Sequence, residues 1–358
     1  MVLSGSPPTA ASRGAPGVAS LEGDRLMALW LLACAAMVFA MVVIGGITRL
    51  TESGLSITEW KPVSGIIPPL TEEEWEESFA RYRQIPEYLE KNAGMSLADY
   101  KGIYWWEFVH RLWGRLIGIA FAVPFLVFLL RGHIARPLVP RLLLLLGLGG
   151  LQGALGWAMV ESGLVHRTDV SQYRLVAHLG LAVAIYALLL WTAFPLLRRG
   201  ERHSAEAPLL RPWVAGAAAL TVLTILSGGF VAGLDAGRVH NTFPLMSGSL
   251  VPEDYALLSP PWKNAFENPA AAQFHHRLLA MATLGWIVLA WLRGRTAGLD
   301  GPAAAALHAL PVVALAQLGL GVATLLLAVP IPLAALHQAG AMLLLSVALW
   351  ALFETSRF

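Results

Sequence analysis

Eight long apolar segments constrain the fold of this chain more than any other feature of its sequence. Each is long enough to cross the roughly 30 Å hydrocarbon core of a bilayer as a helix. Charged residues make up only 13% of the 358 residues, about half of their share in a typical soluble domain. The sequence therefore predicts an all-α polytopic membrane protein, and nothing in it indicates a nucleic-acid partner. The segments span residues 26–47, 104–130, 138–160, 173–197, 212–234, 272–292, 303–329 and 331–355.

Arginine is concentrated in every second connection between these segments. The connections after the second, fourth and sixth segments are rich in arginine, whereas those after the third and seventh contain only Arg167. The positive-inside rule then places both termini and the arginine-rich loops in the cytoplasm. The long loop 48–103 falls on the outer face, and its acidic run at 72–77 predicts the start of a solvated helix. The arginines concerned are Arg131, Arg136, Arg141, Arg198, Arg199, Arg202, Arg211, Arg293 and Arg295.

The two halves of the chain repeat the same motifs in the same order. The motif E-x-x-H-R at residues 107–111 recurs as Q-x-x-H-R at residues 273–277. Four segments per half bring both halves into the membrane in the same direction, so we predict two parallel-repeat four-helix bundles. Other matched positions are Gly45-Gly46 with Gly228-Gly229, Ser64-Gly65 with Ser247-Gly248, Pro69 with Pro252, Trp60 with Phe243, Gln152 with Gln317, and His178 with His337. The predicted divisions are a disordered cytoplasmic tail (1–25), an N-terminal half (26–197), a cytoplasmic linker (198–211) and a C-terminal half (212–358).

Four of the ten histidines occupy equivalent positions in this repeat: His110, His178, His276 and His337. Each lies near the start of an even-numbered segment, so the predicted topology puts all four at a similar depth near the outer face. In each half the pair comes from two different helices, an arrangement that can clamp a flat group inside a bundle. Imidazole suits iron, whereas the scarcity of carboxylates and thiolates nearby argues against zinc. We therefore predict haem, held by a histidine on each axial face.

The two predicted haem sites differ in one respect. Glu107 precedes His110 by three residues, whereas Gln273 precedes His276. Ionisable residues at membrane depth are costly and usually functional, and a carboxylate can move protons or stabilise positive charge where a carboxamide cannot. We therefore expect the first site to be catalytic and the second to hold a redox cofactor. Arg49 is explained equally well as an interfacial anchor. The arginines expected to meet haem propionates at the outer interface are Arg49, Arg111, Arg115 and Arg277.

Four longer stretches carry a further signal. They read GGITRLTESGLSITEWKPVSGIIPP at 45–69, WWEFVHRLWGR at 105–115, ENPAAAQFHHR at 267–277 and LHQAGA at 336–341. They resemble the haem A synthase family, and the resemblance covers nearly the whole chain. It implies an eight-helix bundle of two similar halves that converts the C8 methyl of haem O to a formyl group by successive hydroxylations. The product, haem A, serves aa3-type terminal oxidases.

The resemblance also assigns roles residue by residue. It implies that His110 and His178 flank the substrate haem O, and that His276 and His337 ligate a haem b cofactor. Glu107 would be the essential carboxylate. The electron donor or acceptor stays open, as do contacts with the haem O synthase, with oxidase assembly factors and with a second copy of the chain.

One feature of part of that family is absent. Some members carry a cysteine pair in an outer loop, but the single cysteine here, Cys34, lies in the first apolar segment and is expected to be a packing residue. This favours the proteobacterial and mitochondrial branch, and with it a multi-pass protein of the bacterial inner membrane.

Two other functions fit parts of the pattern. A b-type cytochrome that only transfers electrons also uses histidine pairs, but all four predicted ligands lie toward one face, which argues against electron transfer across the membrane. A transporter often contains internal repeats, yet it would place polar residues near the midplane. The roles of His240 and His275 stay undetermined. The remaining histidines fall in loops or outside the repeat: His133, His166, His203 and His308.

Overall fold

The fold is all-α over the part of the chain that the structure describes. The computed structural model describes residues 18–61, 64–166, 168–197 and 207–356. Within these ranges the β contacts are limited to an isolated bridge between Met246 and Ser249. The helices there are α1 Val18–Leu50, α2 Glu72–Tyr82, α3 Pro86–Glu90, α4 Leu97–Leu130, α5 Val139–His166, α6 Gln172–Leu197, α7 Ala207–Gly233, α8 Asn264–Glu267, α9 Pro269–Gly294, α10 Gly301–Leu326 and α11 Ile331–Glu354.

Eight helices, α1, α4, α5, α6, α7, α9, α10 and α11, are long and apolar enough to cross a membrane. This confirms the predicted polytopic class and the number of spans. Helix α1 begins at Val18, before the predicted limit of 26, and most of the predicted tail lies outside the described residues. Helix α10 ends at Leu326, not at 329, because Ala328 and Val329 have left-handed φ angles of 58° and 65°. Several residues with a predicted role also lie outside the described ranges: Arg167, Arg198, Arg199, Arg202 and His203.

Four of the spanning helices form the centre of the molecule. Helix α1 packs against α6 and α11, and α7 packs against the same two helices, so the central four close into a ring. The hydroxyl groups of Tyr186 on α6 and Ser346 on α11 lie 2.8 Å apart inside it. Cys34 is 2% exposed and packs in this core, as expected of a packing residue. The other four spanning helices pack outside the ring: α4 on α1, α5 on α6, α9 on α7, and α10 on α11.

The described residues between α1 and α4, 51–61 and 64–96, form a cap that packs on α4 and α5. Helix α2 of the cap starts at the acidic run, as predicted, because Thr71 caps it: Thr71 Oγ1 accepts the Glu74 N–H at 3.2 Å, and the Glu74 carboxylate accepts the Thr71 N–H at 3.2 Å. An aromatic cluster that includes Trp75 and Phe79 buries this helix against Tyr100 of α4. The cap is therefore a folded layer that packs on the first turns of α4, and it contacts the motif at 107–111 of that helix.

One carboxyl group is buried in this cap. Glu87 is 3% exposed, and the described hydrogen bond to it comes from the Tyr82 hydroxyl at 3.4 Å. Tyr82 in turn accepts a hydrogen bond from Asn92 at 2.7 Å. Burial, and secondly the negative charge of Glu107, raise the pKa of Glu87 from 4.5 to about 8, while Lys91 opposes the shift.

This shift predicts a pH-dependent stability. Between about pH 4.5 and 8 the folded chain keeps a proton on Glu87 that the unfolded chain releases, so the free energy of unfolding falls as the pH rises through that window. A Glu87→Gln variant removes this loss, since the amide has no charge. Its melting temperature in detergent is expected to exceed the wild type's by several degrees at pH 8.5 and to match it near pH 4.5. The exposed Glu90 on the same helix supplies the control, and a Glu90→Gln variant with the same pH-dependent gain would contradict the assignment.

Candidate functional site

Each of the four repeat histidines packs against a glycine of a neighbouring helix. A Cβ atom built on that glycine would lie between 2.8 and 3.3 Å from the imidazole ring. Real Cβ contacts are rarely so short, so a larger residue would displace the ring. The repeat therefore extends from the histidines to the surfaces that support them. The pairs are His110 on Gly45, His178 on Gly156, His276 on Gly228 and His337 on Gly321.

The second-half pair has a spacing that fits a metal ion between two imidazoles. The ring centres of His276 and His337 lie 6.4 Å apart, and the rings are nearly perpendicular at 89°. Two imidazoles that each place a nitrogen about 2 Å from one metal ion have ring centres about 6 Å apart. Among the described residues there is no group of three or more histidine, cysteine or acidic side chains that could hold a metal ion. The donors therefore fit a haem iron better than zinc.

A glutamine accompanies one histidine of each pair. Gln152 on α5 donates from Nε2 to the backbone carbonyl of His178 at 3.0 Å, and Gln317 on α10 donates to the carbonyl of His337 at 2.8 Å. Gln317 Nε2 also lies 3.1 Å from His337 Nδ1. In the first half, His178 Nδ1 is buried and has no hydrogen-bond partner among the described residues. A buried nitrogen of this kind fits a ligand that the protein itself does not supply.

Glu107 is the centre of a hydrogen-bonded clamp between α4 and the cap. It is 2% exposed, and its Oε2 accepts the Ser56 hydroxyl at 2.7 Å and the Ile57 N–H at 2.8 Å. Its Oε1 accepts two bonds from Arg111, which also donates to the carbonyls of Ile57 at 2.8 Å and Glu59 at 3.1 Å. The carboxylate therefore accepts from four donor atoms, and it holds residues 56–57, just after α1, against α4.

The second half contains the same clamp with an amide in place of the carboxylate. Gln273 donates to the carbonyl of His240 at 3.2 Å and accepts from Arg277 at 3.3 Å. Arg277 also donates to the carbonyls of His240 at 2.7 Å and Thr242 at 2.8 Å. His240 and Thr242 follow Ile57 and Glu59 by the same 183 residues that separate the glycine pairs. The two arginines thus share their backbone partners, and the clamps differ in the charge at their centre.

The two other arginines predicted to meet propionates also have protein partners. Arg115 donates from Nη2 to the Lys61 carbonyl at 3.0 Å. Arg49 pairs with Asp235, which follows α7, at 2.7 Å. The buried Nε atoms of Arg49 and Arg277 have no hydrogen-bond partner among the described residues, so each retains a donor for a carboxylate.

The two histidines whose roles the sequence left undetermined contact residues of the loops. His240 lies 2.8 Å from Ser247 Oγ through Nδ1 and 3.1 Å from Asp254 through Nε2, so both ring nitrogens are used. His275 Nε2 lies 2.9 Å from the Tyr255 hydroxyl. These two histidines therefore bond to loop residues, whereas each of the four repeat histidines packs on a glycine of a neighbouring helix.

Two side chains of the site were missed from the sequence. Ser56 belongs to the Glu107 clamp, and Ser227 Oγ lies 2.8 Å from Nδ1 of His276. Ser227 precedes Gly228-Gly229, where the first half has Ile44, and this difference inside a matched motif was the available signal. Ser56 had no such signal, because serine is common in loops.

Comparisons with known proteins identify the family. The family model COX15-CtaA, described as "Cytochrome oxidase assembly protein", matches residues 28–349. A "Heme A synthase" of Rhodospirillum centenum is 53% identical over 337 residues, which cover 93% of this chain and 89% of that protein. One of Nitrosospira multiformis is 50% identical over 336 residues, with coverage of 93% and 94%. "Heme A synthase COX15" of Bos taurus is 44% identical over 353 residues, with coverage of 96% and 86%. The chain belongs to the COX15-CtaA family of cytochrome oxidase assembly proteins.

Proposed function

We propose that this chain is a haem A synthase, which oxidises the C8 methyl group of haem O to the formyl group of haem A. The observation that carries the proposal is the pair of matched clamps, in which Glu107 of the first half stands where the second half has Gln273. Because a carboxylate can accept a proton and a carboxamide cannot, the first half fits a site where the substrate reacts and the second half fits a site that holds a redox cofactor. The family and its relatives of that name support the same activity.

The histidine pairs divide between the two sites. His110 and His178 of the N-terminal four-helix half hold haem O, and His276 and His337 of the C-terminal half hold haem b. The supporting observations are the glycine under each ring, the 6.4 Å separation in the second pair and the unpartnered Nδ1 of His178. Haem b, when bound, supplies the redox chemistry that no side chain can provide.

The remaining site residues bind and handle charge. Glu107, buried and next to the outer end of α1, accepts a proton from the reacting region or stabilises positive charge there. Arg49 and Arg277 receive propionates at their unpartnered Nε atoms, and Arg111 and Arg115 complete the positive surroundings. The cap closes the first site from solvent, since it covers the Glu107 carboxylate almost completely.

The orientation follows from charge and from the depth of the site. The cap and all four histidines lie toward the starts of α4, α6, α9 and α11, and the described arginines Arg131 and Arg295 directly follow the ends of α4 and α9. We infer that the protein is in the bacterial inner membrane with both termini cytoplasmic and its haem sites near the outer face. Contacts with the haem O synthase, with oxidase assembly factors or with a second copy would then form within the same bilayer.

The test is the identity of the bound and converted haems. The purified chain is expected to yield haem b together with haem O, haem A or a hydroxylated intermediate on extraction, chromatography and mass measurement. It is also expected to convert added haem O to haem A when supplied with a reductant and oxygen. Haem b alone, with added haem O unchanged, would favour a b-type electron-transfer protein instead. A chain without any haem would contradict the histidine assignment.

A further inference from the structure

Ser227 holds one of the repeat histidines in a defined protonation form. Its Oγ lies 2.8 Å from His276 Nδ1 and donates to the Thr224 carbonyl at 2.8 Å. A hydroxyl group has one hydrogen, and the carbonyl can only accept it. Both contacts are therefore satisfied together only when His276 carries its hydrogen on Nδ1 and donates it to Ser227.

This bond decides which nitrogen can bind a metal. A neutral imidazole with its hydrogen on Nδ1 has its free lone pair on Nε2. The ring packs closely against α7, since a Cβ added at Gly228 would lie only 3.1 Å from the His276 Cε1 atom. His276 is thus oriented, before any ligand arrives, as an Nε2 donor beside His337.

The first half has no counterpart to this serine. The residue 183 positions earlier is Ile44, in Ile44-Gly45-Gly46 against Ser227-Gly228-Gly229. The isoleucine side chain has no hydrogen-bonding group, so it cannot fix the tautomer of His110, although Gly45 also packs against that ring, nearest to Nε2 where Gly228 is nearest to Cε1. The two halves therefore share the support and differ in the hydrogen bond.

We propose that Ser227 is a positioning residue that makes the second haem site permanent, and that Ile44 leaves the first site able to exchange its haem. The proposal rests on the proposed function, in which one haem stays and the other enters as substrate and leaves as product. Outer hydrogen bonds of this type make a ligating imidazole more basic and typically change metal affinity about 10–100-fold. A resident cofactor gains from that retention, whereas a substrate that must be released would be held too long.

The experiment compares three variants of the full-length purified protein: Ser227→Ala, Ser227→Thr and Ile44→Ser. The first measurement is the transfer of haem b to an excess of a soluble haem-binding apoprotein, and the second is the reduction potential of the haem that remains. Ser227→Ala is expected to lose haem b about 10–100-fold more readily and to show a higher potential, since a less basic imidazole stabilises ferric iron less. Ser227→Thr keeps the hydroxyl and is expected to restore both values.

The Ile44→Ser variant, in the first half, tests the part of the proposal that concerns haem exchange at the first site. Ile44→Ser is expected to slow the release of haem from the first site and leave haem b retention unchanged. Wild-type retention and potential in Ser227→Ala would overturn the role of Ser227, and unchanged release in Ile44→Ser would overturn the role of Ile44. These readouts do not need haem A formation, so a chain that binds haem b but fails to convert haem O would sink the proposed function and leave this proposal measurable.

Discussion

A Glu107→Gln variant is expected to form haem A about 10²–10⁴-fold more slowly than the wild type, while its haem b content stays the same. The substitution keeps the size and the polar character of the side chain and removes its charge and its capacity to accept a proton. The carboxylate is 2% exposed, so water cannot easily replace it. The measurement is the rate of conversion of haem O by the purified variant, with haem b quantified in the same sample.

The second half of the molecule indicates that an amide can hold this clamp. Gln273 accepts from Arg277 as Glu107 accepts from Arg111, and it donates to the His240 carbonyl where Glu107 instead accepts the Ile57 N–H. A glutamine at 107 can likewise accept from Arg111, but its amide nitrogen then meets the Ile57 N–H that Glu107 accepts, so an unchanged melting temperature of the variant is the evidence that a loss of activity does not follow from a loosened cap. The matched control is Gln273→Glu, which adds a carboxylate to the second site and is expected to leave haem O conversion within a few-fold of wild type. Full conversion by Glu107→Gln at normal haem occupancy would contradict a proton-handling role.

Most of the fold could be predicted because the membrane simplifies it. Apolar length fixes the spanning helices, and the internal repeat selects four of the ten histidines. The turn before α11 was misjudged by three residues, because hydropathy does not register the left-handed backbone at Ala328 and Val329. Local composition decides whether a helix can span, whereas backbone conformation decides where it ends.

The partners of the predicted residues were harder to foresee, because they depend on how helices pack. The Arg49 pair with Asp235 joins positions 186 residues apart and crosses from one half to the other. Ser56, which contacts Glu107, precedes it by 51 residues within a loop. The glycines at 156 and 321 each follow the matched glutamine by four residues, so the repeat pairs them, but the register between helices is needed to place them under His178 and His337. Sequence periodicity gives the face of a helix but not its position along a neighbour.

The largest effect on the second site is expected from a single methyl group at Gly321. Its Cβ would lie 2.8 Å from Cε1 of His337, closer than real contacts allow, so a Gly321→Ala variant must displace the imidazole. We expect its affinity for haem b to fall at least about 10-fold, and haem A formation to fall with it. Haem b per protein after purification is the direct measurement.

Gly319, two residues earlier on the same helix, supplies the matched control. A Cβ there meets no atom within 4 Å, and alanine is intrinsically about 1 kcal/mol more favourable than glycine inside a helix. Gly319→Ala is therefore expected to keep its haem b and to melt at the same temperature or higher, whereas Gly321→Ala loses haem despite the same gain in helix propensity. Equal haem content in the two variants would show that His337 does not need its present position to hold haem b. One added methyl group is thus expected to lower haem b content at Gly321 and to leave it unchanged at Gly319. This difference separates the loss of support for His337 from a general effect of the substitution on α10.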